Sequence, residues 1–490
     1  MLAIFRRELP ALTDAELHVT ACTVKPSSWR KSRKGRCSLV YRLEIEVGGT
    51  PRGETLLLGI PGVTPEFLSA GWRAGDLRGH PWAAPFCRSA AYIPELQMAL
   101  LLFPLDPTMP GLAEITGSEG ARLVEAWLPE CRRGARIEAI ACELVHYKPL
   151  DRAVLRIRVT LRGPGTAEGR RTIYAKFFAD EGGAECSGNL EALWSRTRGA
   201  TSLRLPEPLG YDPERGMMLM GEAAGERVLV EWIKCIEADE PLPDGIGVEQ
   251  LNRCALVSAR ALRELQRSGV RPENRRTFQV ELARLKRDSG LLLGEVRRCR
   301  PELAERAVTL LARLERLAPA SERLVPAHGA FRHKQMLGDD RTLKVIDWDG
   351  LCLANPALDA AAFLGRLSRA PLRRRGAAPE LAQMAAVFRS AFLEDQPEVA
   401  RDLDLYQGLE MTEQMLRAFR RPVFDEEAAE ELFSLADAAG AMLDRVDVGR
   451  IRVPRAPGLP KWIGRTAASF ALQVFDSIVQ LVRGLDGGGL

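Results

Sequence analysis

Two carboxylates, Asp347 and Asp349, follow a short apolar stretch in Val345-Ile346-Asp347-Trp348-Asp349-Gly350. Carboxylates at a strand end suit Mg²⁺, a hard cation that prefers oxygen and usually also holds substrate phosphates. An acidic turn without a ligand has the same sequence, and a motif of this size carries false positives. Upstream lies His328-Gly329-Ala330-Phe331-Arg332-His333-Lys334-Gln335, rich in groups that bind charge or move protons. A lone lysine, Lys176, sits inside the apolar run RRTIYAKFF. A strand lysine usually points to solvent; in a ligand site it would instead hold an anion. The chemistry these residues allow is the binding of a cation by the carboxylates and of anions by the basic groups. They need strands and tight loops to position them. Met336-Leu337 and Val345-Ile346 read as two short strands around a Gly338-Asp339-Asp340 turn, and a helix begins before Leu364.

The stretch His328–Leu364 resembles the catalytic segment of the aminoglycoside phosphotransferase and choline kinase-like family, within the protein-kinase-like fold. His328 and Gly329 match its His-Gly-Asp, Asp347 its metal-binding Asp, and Pro356, Ala357 and Asp359 its downstream Asp-Pro-Ala-x-Asp. Ala330 stands where the catalytic Asp is expected, and Gln335 where the metal-binding Asn is expected. The resemblance implies ATP and Mg²⁺ bound between two lobes, with Asp347 and Gln335 as metal ligands and Lys176 on the α- and β-phosphates. It further implies a helix glutamate paired with Lys176, for which Glu191 and then Glu185 are the candidates. The hinge would run through Met220, Gly221 and Glu222, where backbone groups bond adenine, and the loop after Tyr147 would cover the phosphates. His328 corresponds to a structural loop residue.

Loss of a general base costs roughly 10²- to 10⁴-fold in rate. Asp349 and His333 are the candidate substitutes for Ala330, and Arg332 is a candidate partner of the γ-phosphate. Three readings follow. The chain is a small-molecule phosphotransferase acting on a hydroxyl-bearing acceptor; or a pseudokinase that acts as a nucleotide-binding or protein-interaction scaffold; or a kinase-like enzyme of another transfer from ATP, such as nucleotidyl transfer.

The elements around these motifs support an α+β, bilobal expectation. Residues 136–162 alternate apolar and polar, as antiparallel strands do. Met217 to Met220 form the last small-lobe strand. From about residue 226 the apolar spacing turns helical, with Pro301 at a helix start, and helices recur near 379–393, 404–420 and 425–446. The first 110 residues repeat the small-lobe pattern. Ala21–Val47 parallels Ala141–Leu161, GETLLLGIPG parallels RRTIYAKFFA with Gly59 in place of Lys176, and IPELQMALLLF parallels LPEPLGYD onward. The expected organisation is therefore 1–133, a degenerate small-lobe-like domain with a connecting helix; 134–225, the small lobe; and 226–490, a helical large lobe with its catalytic segment at 328–364.

Length and composition set the outer bounds. The chain has 490 residues, 46% hydrophobic and 27% charged, enough for two or three domains with buried cores. A net charge of +4 gives no reason to expect a nucleic-acid partner. The basic run Arg30–Arg36 and Arg373–Arg375 read as solvated loops before anion sites. Ten cysteines show neither CxxC nor zinc spacing and read as small core residues of a reduced compartment. The N-terminus is interrupted too early by charge for a signal peptide, and no apolar run reaches membrane length. The amphipathic tail after Pro460 is expected to pack as core rather than lie on a membrane. A cytoplasmic location is expected.

Overall fold

Alternating burial along the N-terminal strands builds the first of two antiparallel sheets. The computed structural model describes residues 1–448 apart from 25–29, 32–36, 69–76, 78, 164–165, 224, 226–227, 244, 339–341, 375–377 and 419–425. The Asp339-Asp340 turn, most of the basic run 30–36, the side chains of Arg373–Arg375 and the tail after Pro460 lie outside the described residues. The chain divides into two compact units, Met1–Glu191 with Pro206–Glu222, and Ala192–Leu205 with Ala223–Leu490. Both sheets of the N-terminal half thus fall in one unit.

The first unit opens with helix α1 (Leu2–Glu8) and strands β1 (Leu17–Val24), β2 (Arg30–Lys31), β3 (Cys37–Val47), β4 (Thr50–Pro61), β5 (Ala90–Ile93) and β6 (Met98–Leu102). Their order is β1-β3-β4-β6-β5, with β2 beside β3. Three short helices, α2 (Gly111–Thr116), α3 (Gly120–Glu125) and α4 (Pro129–Arg132), lead to β7 (Arg136–Lys148), β8 (Arg152–Gly163) and β9 (Thr166–Phe178). Helix α5 (Gly182–Arg196) and strand β10 (Leu203–Arg204) come next in sequence, before β11 (Pro208–Asp212) and β12 (Met217–Gly221). The second sheet is ordered β7-β8-β9-β12-β11. Leaving β2 aside, each sheet places its first, second, third, fifth and fourth strands side by side, every neighbour antiparallel.

Strand β8 shows why these segments become sheet. Ala153, Leu155, Ile157, Val159 and Leu161 alternate with polar residues and are buried, the period-2 pattern of a half-buried strand. They share a core with Ile173, Ala175 and Phe177 of β9, with Met217 and Leu219 of β12, and with Val40 and Phe103 from the first sheet and its exit. The first sheet has its own core on its other face, where Phe5, Leu9 and Leu12 cover Tyr41, Leu43 and Leu57.

The second unit is mostly helical. It contains α6 (Val228–Ala238), α7 (Val248–Arg267), β13 (Arg275–Arg276), α8 (Phe278–Cys299), α9 (Pro301–Leu317), β14 (Val325–Ala327), β15 (Met336–Gly338), β16 (Leu343–Val345) and β17 (Cys352–Ala354). Helices α10 (Ala357–Arg374), α11 (Pro379–Leu393), α12 (Ala400–Ala418) and α13 (Glu426–Val448) complete it. Thr277 caps α8 by accepting from the Val280 N–H, and Pro301 occupies the first turn of α9. Two small sheets, β10-β16-β15 and β13-β17-β14, hold the loop segment that the sequence singled out. Among the described residues, no helix is long and apolar enough to cross a membrane.

Candidate active site

In the second unit the loop after β14 is organised by a buried carboxylate. Asp359, at the start of α10, is 1% exposed and accepts from the backbone N–H groups of His328, Gly329 and Phe331. Three such donors fix the turn. Gly329 has φ +78°, and a Cβ there would lie 2.2 Å from the Gly350 carbonyl oxygen, so only glycine fits. Arg276 bonds the Gly329 carbonyl and forms a two-pronged pair with Glu281 at 2.7 and 2.8 Å. Burial works against the Glu281 charge, but Arg276 and Arg284 outweigh it and hold the carboxyl below its usual range.

His328 is fully buried. Its Nε2 lies 3.0 Å from the Ile346 carbonyl, and its ring packs on Trp348 with centroids 4.6 Å apart. Both contacts tie the loop to the strand that leads to Asp347. Strand β16 ends at Val345, one residue earlier than the sequence suggested, because the Ile346 N–H turns to the Gln335 carbonyl at 2.9 Å. Asp347 then adopts a left-handed backbone, φ 70° and ψ 56°, and starts a single 3₁₀ turn, Trp348–Gly350. Non-glycine residues rarely take this conformation, and such strain gathers at functional sites. The Asp347 side chain is exposed and that of Asp349 half-buried.

Gln335 places an amide oxygen on the same loop. Its Oε1 is buried and accepts no hydrogen bond among the described residues. The Ile346–Gln335 backbone bond sets it beside the Asp347 segment. An orphaned amide oxygen next to a carboxylate fits a hard cation. Among the described residues, no cluster of three or more His, Cys, Asp or Glu offers a competing metal site.

The two other loop candidates differ in character. Burial pushes the His333 imidazole down to about 4, with Lys334, Arg366 and Arg332 adding to the effect. A histidine that stays neutral so far into acid is a weak proton acceptor. Arg332 is half-buried, and its Nε lacks a hydrogen-bond partner among the described residues. Ala330 is half-buried and offers no proton acceptor.

In the first unit Lys176 lies on β9 opposite Val154 and Met218. Its neighbours Ala175 and Phe177 enter the core, so Lys176 points to the other face. It is nevertheless only 5% exposed, with its ammonium 5.7 Å from the centroid of the Phe178 ring. Glu191 is exposed and accepts from the Ser187 hydroxyl at 3.3 Å; Glu185 is also exposed. Met220 pairs with Tyr174 and is half-buried. The Gly221 N–H donates to the Glu207 carbonyl at 2.7 Å and the Glu222 N–H to the Thr172 carbonyl at 3.3 Å. Both hinge donors are thus used within the protein.

The β7–β8 connection is anchored rather than glycine-rich. Asp106 Oδ2 accepts from the Leu150 N–H and from the Tyr147 hydroxyl, each at 2.9 Å. Leu150 packs with Leu58, Ile60 and Leu101 of the first sheet. Burial works against the Asp151 charge, but its ion pairs with Lys148 and Arg152 outweigh it, holding the carboxyl below its usual range. Nothing in the local pattern marked Asp106 or Arg276, because Asp106 accepts from Tyr147 and Leu150 and Arg276 bonds Gly329, all distant in sequence.

Residues 192–403 match the model of the phosphotransferase enzyme family. No curated protein matches. Among solved structures, a choline/ethanolamine kinase family protein from Mesorhizobium loti is similar at 14% identity, covering 68% of this chain and 97% of that one, with TM-score 0.39. Choline kinase from Cryptosporidium parvum Iowa II is similar at 10% identity over 66% and 96%, with TM-score 0.45. An amicoumacin kinase solved with AMP-PNP and Ca²⁺ is similar at 12% identity over 67% and 94%, with TM-score 0.40. The segment that carries Asp347, Gln335 and Asp359 lies inside the matched range, and over residues 192–403 this chain has the sequence pattern of the phosphotransferase enzyme family.

Proposed function

We propose that this phosphotransferase-like protein binds ATP with Mg²⁺ and passes the γ-phosphoryl group to the hydroxyl of a small-molecule acceptor. The observation that carries the reading is Lys176, a lysine kept almost wholly buried on the sheet face that its core residues avoid. A buried ammonium on that face has the charge that suits the α- and β-phosphates of a nucleotide. Asp347 and Gln335 would hold the metal, which neutralises charge on the transferring group. The acceptor oxygen forms its bond to Pγ as the bridge from Pγ to the β-phosphate oxygen breaks. ADP leaves with the electron pair, and the hydroxyl proton passes to Asp349, the nearest carboxylate in sequence to Asp347.

Calorimetry of ATP, with and without Mg²⁺, tests this on the wild type, Lys176→Ala and Asp347→Ala. The expected result is Mg²⁺-dependent binding that weakens by roughly 10- to 100-fold in Lys176→Ala, the value of a charge-assisted contact, and loses its Mg²⁺ dependence in Asp347→Ala. Unchanged affinity in Lys176→Ala sinks the assignment.

A second reading, a nucleotide-binding pseudokinase, is favoured by Ala330 together with the His333 imidazole held near 4. Single-turnover measurement of ADP formation separates the two. Slow turnover abolished by Asp349→Asn supports transfer, whereas none in the wild type supports the scaffold.

A further inference from the structure

Helices α10 and α12 approach closely beside the loop that carries Arg332. The contact is at Gly365, where a Cβ would lie 2.8 Å from Glu410 Cγ and 3.2 Å from Gln414 Nε2. Among the described residues around it, the charges do not balance. Arg369 is paired with Glu431, and Arg417 and Arg284 share Glu413. Arg276 and Arg284 also share Glu281. Among the described residues, that leaves Arg332 and Arg366 with one carboxylate, Glu410, which is already hydrogen-bonded by Gln414 Nε2 at 2.9 Å.

Arg366 Nε stands 3.6 Å from Glu410 Oε1, too far for a hydrogen bond. Among the described residues, Arg332 Nε and Arg366 Nε, both donors, and His333 Nδ1 are buried without partners. Buried polar atoms are ordinarily satisfied, and a group of orphans calls for a further partner. Burial, together with Arg332, Arg369 and Arg417, lowers the Arg366 guanidinium to about 10 despite Glu410, while burial raises the Glu410 carboxyl. The Arg366 shift marks a site with excess positive charge, and both shifts mark one short of solvent.

We propose that Arg332 and Arg366, with His333 Nδ1 beside them, form a subsite for an oxyanion, and that the acceptor therefore carries a carboxylate or a phosphate rather than only amines. Guanidinium groups suit this role because their planar donors match both oxyanions. Arg332 lies two residues beyond Ala330, so the subsite adjoins the loop assigned to transfer. The inference rests on the phosphotransferase reading for its functional meaning.

Calorimetry with two separate titrants, inorganic phosphate and succinate, tests it on the full chain. The wild type is expected to bind at least one, and which one distinguishes a phosphate-bearing from a carboxylate-bearing acceptor. Arg366→Gln and Arg332→Gln are each expected to weaken that binding tenfold or more. If Arg366→Gln fails to fold, the half-exposed Arg332→Gln decides. Binding of neither titrant by the wild type, or binding that survives both substitutions, overturns the proposal. Phosphate binding lost only in Lys176→Ala also overturns it, since the anion would then sit at the nucleotide lysine. ATP titrated into the same proteins keeps the two readings apart. Oxyanion binding without ATP binding sinks the nucleotide reading and leaves the subsite, and ATP binding without oxyanion binding does the reverse.

Discussion

The two sheets of the first unit share a strand order and differ in what covers one face. In each, the third strand runs between the second and the fifth, and Gly59 and Lys176 occupy the same place, two residues before that strand ends. In the second sheet this position holds a buried lysine. In the first, the face is sealed. Phe5 of α1 packs edge-on against Tyr41 at 4.9 Å, and Leu9 and Leu12 complete the cover. A Cβ on Gly59 would lie 2.8 Å from Tyr41 Cε2 and 3.0 Å from Met98 Sδ. The first sheet thus has no room for the side chain on which the nucleotide proposal depends. Its opposite face supplies Leu58, Ile60 and Leu101 to receive Leu150 of the second sheet. One connectivity serves as a scaffold in the first case and presents a candidate phosphate ligand in the second. The difference lies in a few side chains and one helix.

The largest expected effect comes from breaking the join between them. Asp106, 3% exposed, follows the first sheet and accepts from Leu150 and Tyr147 in the second. Asp106→Ala leaves two buried donors unmet, at about 1–3 kcal/mol each. The expected loss is about 2–5 kcal/mol in denaturant unfolding, together with faster hydrogen exchange at the Leu150 amide. A loss below about 1 kcal/mol would mean that the first sheet does not hold the β7–β8 connection.

A smaller effect is expected from forcing the first sheet to resemble the second. Gly59→Lys pushes a side chain into the space of Tyr41 and Met98 and should cost about 1–3 kcal/mol, the usual range for overpacking. It should add no second ATP in a titration of the full chain. Unchanged stability would show that the face opens readily, and the contrast with Lys176 would lose its physical basis.

These positions also show what a sequence can reveal. Period-2 burial in β8 and the order of apolar runs made both sheets legible, since these are local patterns. The loop motif was legible because His328, Gly329, Asp347 and Asp359 resemble a known family's segment. The covering of Gly59 was not, because α1 lies far from it in sequence and folds onto it only through tertiary packing. The same holds for Glu410 and Arg366, which read as ordinary helix-surface charges until α10 and α12 pack together at Gly365. The strand Met217–Gly221 was legible, but the use of the Gly221 and Glu222 donors depends on Glu207 and Thr172.

The smallest effect isolates one bond of the join. Tyr147→Phe removes the hydroxyl that donates to Asp106 but leaves the Leu150 N–H in place, so the expected cost at neutral pH is about 1 kcal/mol. The bond also predicts a pH dependence. Burial first, and then the Asp106 charge, raise the Tyr147 phenol well above its ordinary value of 10. In the folded protein the proton stays on, whereas in the unfolded chain it leaves as pH passes about 10. The stability that this proton contributes is therefore complete below pH 10 and falls above it. Phenylalanine has no proton to lose, so the stability gap between wild type and Tyr147→Phe should shrink between pH 9 and 11. Other buried tyrosines, such as Tyr406, titrate alike in both proteins and cancel in the difference. Denaturant midpoints measured in parallel give the gap directly. A gap constant across that range would show that Tyr147 is not held as a buried donor, and that the two sheets meet through apolar contacts alone.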